Sequence, residues 1–311
     1  MAQGAEKVFD NDLITRLPQA RGLLEENAPL APHTWFRVGG PAEVFFHPQD
    51  ADDLSYFLSH TPFDIPVTIL GAASNVLIRD GGIPGVVIRL GPAFGQVKVE
   101  GDALRAGGAA VKLNVARSAQ GAGIAGMEFF CGIPGTIGGG LRMNAGSYGS
   151  EFKDIVIAAD VMDRTGQCRA LASHQIGFSY RHADIPEDSI FLSALLQGET
   201  DKPTEIGKRM DDIQKKRRAS QPTGQQTCGS TFANPENDPR PSWKLIEDAG
   251  CRGLRHGQAK VSEKHCNFLI NTGHATAADI ESLGEEVRRR VRDKFKIELR
   301  WEIKRLGVEK R

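Results

Sequence analysis

Apolar positions along the chain change their spacing several times, and each change marks an element. Val67 to Leu70 is a short apolar run stopped by Gly71 and predicts a buried strand; Val86 to Leu90, Val97 to Glu100 and Ala103 to Ala106 predict three more. Leu54, Phe57 and Leu58 recur at helical spacing behind Asp50, a residue type that caps helices, and Lys112 to Gln120 is helical again. Ile155 to Met162 and Ile190 to Leu196 return to strand character. Pro203 to Arg218 predicts a charged helix with Ile206, Met210 and Ile213 inward, its Lys215 to Arg218 end a solvated cationic cap. After a linker, Trp243 to Ala249, a strand at Phe268 to Asn271 and a helix from Ala277 form a small α+β unit. Thr276 with Asp279 approximates a capping box for that helix, and Ile280, Leu283, Val287 and Val291 line one side. The closing stretch Ile297 to Ile303 alternates strictly, with Ile297, Leu299, Trp301 and Ile303 on one face and Glu302 on the other. Residues 1–30 mix charges with two prolines and are expected to be a loosely attached leader.

Composition narrows the function classes. A length of 311 residues favours two domains. Lys+Arg 39 against Asp+Glu 39 leaves no net charge to hold nucleic acid or an anionic membrane surface. Glu6, Lys7 and Asp10 do not suit a signal peptide, and no apolar run is long enough to span a bilayer, so no membrane insertion is expected. Cys131, Cys168, Cys228, Cys251 and Cys266 are an odd number without a C-x-x-C pair, which suits neither a disulfide framework nor a zinc site. A reducing cytoplasm and no metal are expected.

Glycine is the outlier: ten of 35 fall between Gly121 and Gly149, too many for a helix or a continuous strand. Within them Gly121-Ala122-Gly123-Ile124-Ala125-Gly126 matches the dinucleotide fingerprint G-x-G-x-x-G, but it follows a helical pattern instead of a strand, so it is expected to be a decoy. Two other stretches have better context. Gly71-Ala72-Ala73-Ser74-Asn75-Val76 follows a strand and offers small residues, a hydroxyl and an amide at a turn, the composition of a backbone nest around phosphate. Gly132 to Gly140, running on to Asn144-Ala145-Gly146, can bring backbone donors to a second face of the same anion. Either alone reads as a tight turn; two together point to a dinucleotide.

With Phe36-Arg37-Val38-Gly39-Gly40-Pro41-Ala42, Tyr180-Arg181, Cys228-Gly229-Ser230 and Val261-Ser262-Glu263-Lys264-His265, these loops resemble the UDP-N-acetylenolpyruvoylglucosamine reductase (MurB) family, in family order from about residue 33 to 306. The resemblance implies an α+β flavoprotein with two FAD-binding subdomains of the vanillyl-alcohol-oxidase type and a C-terminal substrate-binding domain. The corresponding boundaries are 31–90 with the return of 299–311, then 91–203, then 204–298. It implies that NADPH reduces a noncovalent FAD, whose hydride goes to C3 of the enolpyruvyl ether of UDP-N-acetylenolpyruvoylglucosamine. No His or Cys stands in the Gly71 to Leu77 loop to form a covalent flavin link.

By the same resemblance the catalytic positions fall on Arg181, to grip the substrate carboxylate; Ser230, to protonate C2; and Glu302, to work with Arg181. Taken alone these are a surface arginine, a turn serine and a solvated carboxylate. Cofactor contacts fall on Gly71, Ala72, Ala73, Ser74, Asn75, Val76, Leu77, Gly135, Thr136, Gly138, Gly139, Asn144 and Gly146, and substrate contacts on Tyr148, Arg181, Asn234, Arg252 and His265. Ala72, Ala73, Ala233 and Arg142 depart from the family's usual residues. The chain resembles a shorter subgroup that lacks an extra substrate-clamping loop. Competing readings are a flavin oxidase of the same superfamily and a non-catalytic flavin- or UDP-sugar-binding protein; neither needs the Arg181, Ser230 and Glu302 set.

Overall fold

The computed structural model describes Phe9 and residues 12–310. Strands β1 (Leu23–Pro29), β2 (Pro41–His47), β3 (Val67–Ile69), β4 (Val76–Ile78) and β5 (Ile83–Ile88) come first, and four of them form a sheet in the order β1-β2-β5-β3. Only the β1–β2 pair is antiparallel. Helix α1 (Ala51–His60) starts where Asp50 accepts a hydrogen bond from the Asp53 N–H at 2.9 Å. It lays Leu54, Phe57 and Leu58 against Val44, Phe46, Val86 and Ile88, with the Phe46 and Phe57 rings stacked 4.1 Å apart. The expected leader is corrected from Leu13 onward: Leu13 is buried in this core, and β1 pairs with β2 from Leu23 opposite His47 to Pro29 opposite Pro41. The strand escaped notice because it is an edge, with Glu25, Glu26 and Asn27 interrupting its apolar pattern. Glu6, Lys7 and Asp10 lie outside the described residues.

The second sheet is antiparallel, ordered Cys168–Ala172, Val156–Met162, Ile190–Gln197, β7 (Ala103–Gly107), β6 (Val97–Glu100). Helices α2 (Lys112–Ala122) and α3 (Ile137–Arg142) cover it. So does the Pro203–Ser220 helix, whose Ile206 and Met210 share a core with Val115, Phe129, Phe130 and Ile137. A boundary at 203/204 is therefore misplaced: the apolar stripe of that helix faces the second unit. The G-x-G-x-x-G stretch ends α2, where Gly123 takes a left-handed φ of 70° at the C-cap. A helix C-terminus presents carbonyls, the wrong charge for a pyrophosphate.

The third unit joins the Ser242–Asp248 helix, a three-stranded sheet of Arg255–His256, Ala259–Val261 and Leu269–Asn271, and the Ala277–Phe295 helix. The latter has the expected capping box, with both Thr276–Asp279 hydrogen bonds at 3.0 Å. Its core includes Phe36, Val38 and Leu77 from the first hundred residues. The closing stretch buries Leu299 and Ile303 as its alternation requires, yet it is not a ladder strand. Arg300 and Glu302 make backbone bonds to Ala233 and Thr231 around one Phe232–Trp301 bridge, and Lys304–Leu306 then pairs in parallel with β4. No helix among the described residues is long and apolar enough to cross a membrane.

Candidate active site

The two glycine-rich loops meet. The Gly71–Asn75 turn leads from β3 to β4, and its Ser74 hydroxyl donates to the Pro134 carbonyl at 3.5 Å. A Cβ on Gly135, whose φ is +109°, would stand 2.9 Å from Ser74 Oγ, and one on Gly71 would stand 3.1 Å from Thr136 Oγ1. Only side-chain-free backbone allows so close an approach. Thr136 in turn caps α3 by accepting from the Gly139 N–H at 3.4 Å. Among the described residues, the backbone N–H groups of Ala72 to Asn75, Gly135 and Thr136 donate to no protein acceptor. A cluster of unpaired N–H donors at a loop contact suits a phosphate group, so the residues present fit the diphosphate of FAD.

Not every expected cofactor residue contributes a side chain. Leu77 packs into the third core. Val76 starts β4, so its backbone is in the ladder with Lys304–Leu306. Asn144, fully buried, spends its amide on Glu151 Oε2 and the Ser179 carbonyl, both at 3.0 Å, and accepts from the Lys153 N–H at 2.9 Å. It ties the second loop to the turn that carries Arg181. Gly138 donates to the Gly108 carbonyl at 2.8 Å, and so anchors α3 to the sheet. Cys228 lies against the first loop, its thiol donating to the Val76 carbonyl at 3.4 Å, but burial pushes that thiol up to about 12. It is no thiolate nucleophile at neutral pH.

Arg181 and Glu302, far apart in sequence, form an ion pair. Arg181 Nε donates to Glu302 Oε1 at 3.1 Å, and Nη2 donates to the Gly146 carbonyl, also at 3.1 Å. Nη1 has no acceptor among the described residues, so the guanidinium is held by two corners and offers the third. Burial raises the Glu302 carboxyl above its ordinary range, and the Arg181 charge opposes that rise. The Glu302 backbone is fixed from both sides: its carbonyl accepts from Asn75 Nδ2 at 2.9 Å, and its N–H donates to the Thr231 carbonyl at 2.8 Å. Ser230, next to Thr231 and bridged to Phe268, therefore lies beside the same stretch. Loop one, loop two, the Arg181 turn, Ser230 and Glu302 thus converge where the three units join.

Backbone strain marks the same place. Seven non-glycine residues among those described have left-handed φ, and Ala73 (46°), Asn144 (40°), Tyr148 (54°) and Arg181 (56°) are four of them. Such conformations persist where surrounding contacts impose them, and they concentrate at binding sites.

The remaining substrate candidates divide. Tyr148 is exposed and stands over Gly132; burial of its hydroxyl raises its pKa, with Arg217 acting against the shift. His265 packs edge-on against Phe268 at 4.7 Å, and burial lowers its pKa. Arg252 is held by Glu247 and by the Glu263 carbonyl. Asn234 is committed at one end, its Oδ1 accepting from the Ser242 N–H at 2.9 Å to start a helix. Among the described residues Arg252 and Asn234 make no hydrogen bond to Arg181 or Ser230; their contacts stay within the third unit.

Three cations escaped the sequence reading. Arg142, read there as a departure, donates to the carbonyls of Ile185, Pro186 and Ser189 and lies 5.4 Å from the Phe191 ring centroid, so it staples the Arg181 segment to the sheet. Arg217 emerges from the supposed solvated cap, is largely desolvated and faces Tyr148. Lys112 is buried in the first turn of α2. A basic residue at a helix N-terminus, against the dipole, was the available signal for it.

The convergence of two loops fit for FAD with a half-buried Arg–Glu pair is that of an FAD-containing oxidoreductase. Residues 42–172 match the family profile described as FAD binding domain, and residues 221–306 match the one described as UDP-N-acetylenolpyruvoylglucosamine reductase, C-terminal domain. The chain is 56% identical to the UDP-N-acetylenolpyruvoylglucosamine reductase of Parvibaculum lavamentivorans over 298 residues, 96% of both chains. It is likewise 56% identical to that of Rhodospirillum rubrum over 299 residues, 95% of this chain and 94% of the other. The crystal structure of UDP-N-acetylenolpyruvylglucosamine reductase (MurB) from Thermus caldophilus superposes with a TM-score of 0.80 at 29% identity, covering 93% of this chain and all of that one. The chain belongs to the UDP-N-acetylenolpyruvoylglucosamine reductase family.

Proposed function

We propose that the protein reduces UDP-N-acetylenolpyruvoylglucosamine to UDP-N-acetylmuramate with NADPH as reductant, as a cytoplasmic step of peptidoglycan precursor synthesis. The observation that carries this reading is the Arg181–Glu302 pair, held at 3.1 Å between the FAD loops and Ser230 with one guanidinium corner free. When bound between the two loops, FAD would supply the hydride, taken from NADPH, that goes to C3 of the enolpyruvyl ether. Negative charge then develops over C2 and the carboxylate, and a fixed cation stabilises it more than the ground state. The free corner of Arg181 is the donor in position, and Glu302 orients it. Ser230 delivers a proton to C2. Asn75 positions Glu302, and Asn144 positions the Arg181 turn; neither side chain needs to touch the reacting atoms. Tyr148, Arg252 and His265, with the open end of Asn234, line the approach for the nucleotide and sugar. Arg217, beside Tyr148, adds a cation there, in a chain with little length for a clamping loop.

The direct test is the colour of the purified protein. The expected result is a yellow protein that bleaches on addition of NADPH without oxygen and recovers anaerobically when the enolpyruvyl sugar nucleotide is added. Recovery with oxygen but not with the sugar nucleotide would instead identify a flavin oxidase.

A further inference from the structure

Lys112 is a charged side chain in a place that gives it no reason to be charged. It is 3% exposed, and no carboxylate or carbonyl among the described residues accepts from its ammonium. Its contacts are the Phe152 ring, whose centroid is 5.9 Å away, and the underside of the loop junction. A Cβ on Gly135 would stand 3.6 Å from Lys112 Nζ and 2.9 Å from Ser74 Oγ. The backbone fixes this placement, since the Lys112 N–H donates to the Gly135 carbonyl at 3.1 Å.

The charges around it make matters worse. Lys112 begins an eleven-residue helix, where the dipole opposes a cation, and the charged groups that act on it are two further cations, Arg181 and Arg217. Among the described residues Glu302 is the one carboxylate paired with Arg181, and it makes no ion pair with Lys112. Burial and these two arginines pull the lysine down to about 7. An unpaired buried ammonium is expensive to keep. A bound anion removes the expense, and the unpaired N–H groups of Ala72 to Asn75, Gly135 and Thr136 surround the same junction.

We propose that Lys112 is the buried counter-charge of the FAD diphosphate, completing with those backbone donors a site closed by the Ser74–Gly135 contact. The assignment rests on the flavoprotein reading and names a residue of this chain that acts on the cofactor's binding, not on hydride transfer. Because the empty site holds Lys112 partly deprotonated and the occupied site pairs it with phosphate, FAD binding takes up a proton above neutral pH.

Calorimetric titration of apoprotein with oxidised FAD, in buffers of different ionisation heat, measures that proton. Wild type takes up most of a proton more than Lys112→Met at pH 8, and distinctly less at pH 6. Lys112→Met weakens FAD about 10–100-fold, whereas Lys112→Arg keeps most of the affinity without the pH-dependent uptake, because guanidinium stays protonated. Thermal unfolding gives an independent reading: apo Lys112→Met melts no lower than apo wild type, but FAD raises its midpoint less. Equal proton uptake by wild type and Lys112→Met overturns the assignment, and so does unchanged affinity for oxidised FAD with loss only for the reduced form, which would place the charge at the ring. Wild-type protein that binds no FAD at either pH overturns the flavoprotein reading and this assignment together.

Discussion

At the scale of single residues, Ser230 is where the proposed chemistry can be told apart from binding. It sits in the turn opened by Gly229, whose φ of +83° a larger residue would strain, and its neighbour Thr231 is tied to Glu302 and Ile303. In the proposed reaction a hydroxyl there would serve C2 only after hydride has arrived at C3. Ser230→Ala therefore leaves flavin reduction by NADPH nearly intact and slows reoxidation by the enolpyruvyl sugar nucleotide by about 10²–10⁴. Ser230→Cys keeps part of the rate, because a thiol also donates. Stopped-flow absorbance of the two half-reactions distinguishes this role from positioning: equal slowing of both would make the serine structural and send the search for the acid elsewhere. Arg181, Ser230 and Glu302 were each legible only through family motifs. Their residue types suit a surface as well as a site, and the ion pair joining Arg181 to Glu302 spans a separation that no local pattern records.

At the scale of elements, strands and helices with strong periodicity were readable and their partners were not. The 277–295 helix shows its capping box and stripe in the sequence, and Asp50 announces α1. Edge strand β1 was hidden by its charged face, and the closing stretch showed which side chains are buried without showing that its backbone pairs at one bridge. The glycines of α3 illustrate the difference between composition and packing. A Cβ on Gly140 would lie 2.3 Å from the fully buried Phe152 ring, which is packed by Phe129 and Phe130 and faces Lys112. One on Gly139 would meet only Thr136 Oγ1, at 3.5 Å. Gly140→Ala is thus expected to destabilise the apoprotein by about 1–3 kcal/mol, through overpacking against a rigid ring. Gly139→Ala should be neutral or gain up to about 1 kcal/mol from helix propensity. Urea midpoints at unchanged slope measure both; equal effects would mean that the Phe152 ring can move aside.

At the scale of the whole molecule, the site exists only because three units are fastened to one another. The third core borrows Phe36, Val38 and Leu77 from the chain's first hundred residues. The 277–295 helix receives part of its N-terminal capping from another unit: Asp80 accepts from the Ala277 and Ala278 N–H groups, both at 2.9 Å, and its neighbour Arg79 pairs with Glu281 at 2.8 Å. Two backbone donors at a positive helix end answered by one carboxylate make a cap as strong as a local one, but one that forms only after the first sheet has docked. The units should therefore unfold together. Asp80→Ala is expected to cost about 1 kcal/mol and to lower a single calorimetric transition by about 2 °C without splitting it. The isolated 221–311 segment, lacking the three borrowed side chains and Asp80, should show no cooperative transition at all. Two resolved transitions in Asp80→Ala, or cooperative unfolding of the segment alone, would show instead that the third unit is self-sufficient and that the Arg181–Glu302 contact is assembled by docking of a preformed domain.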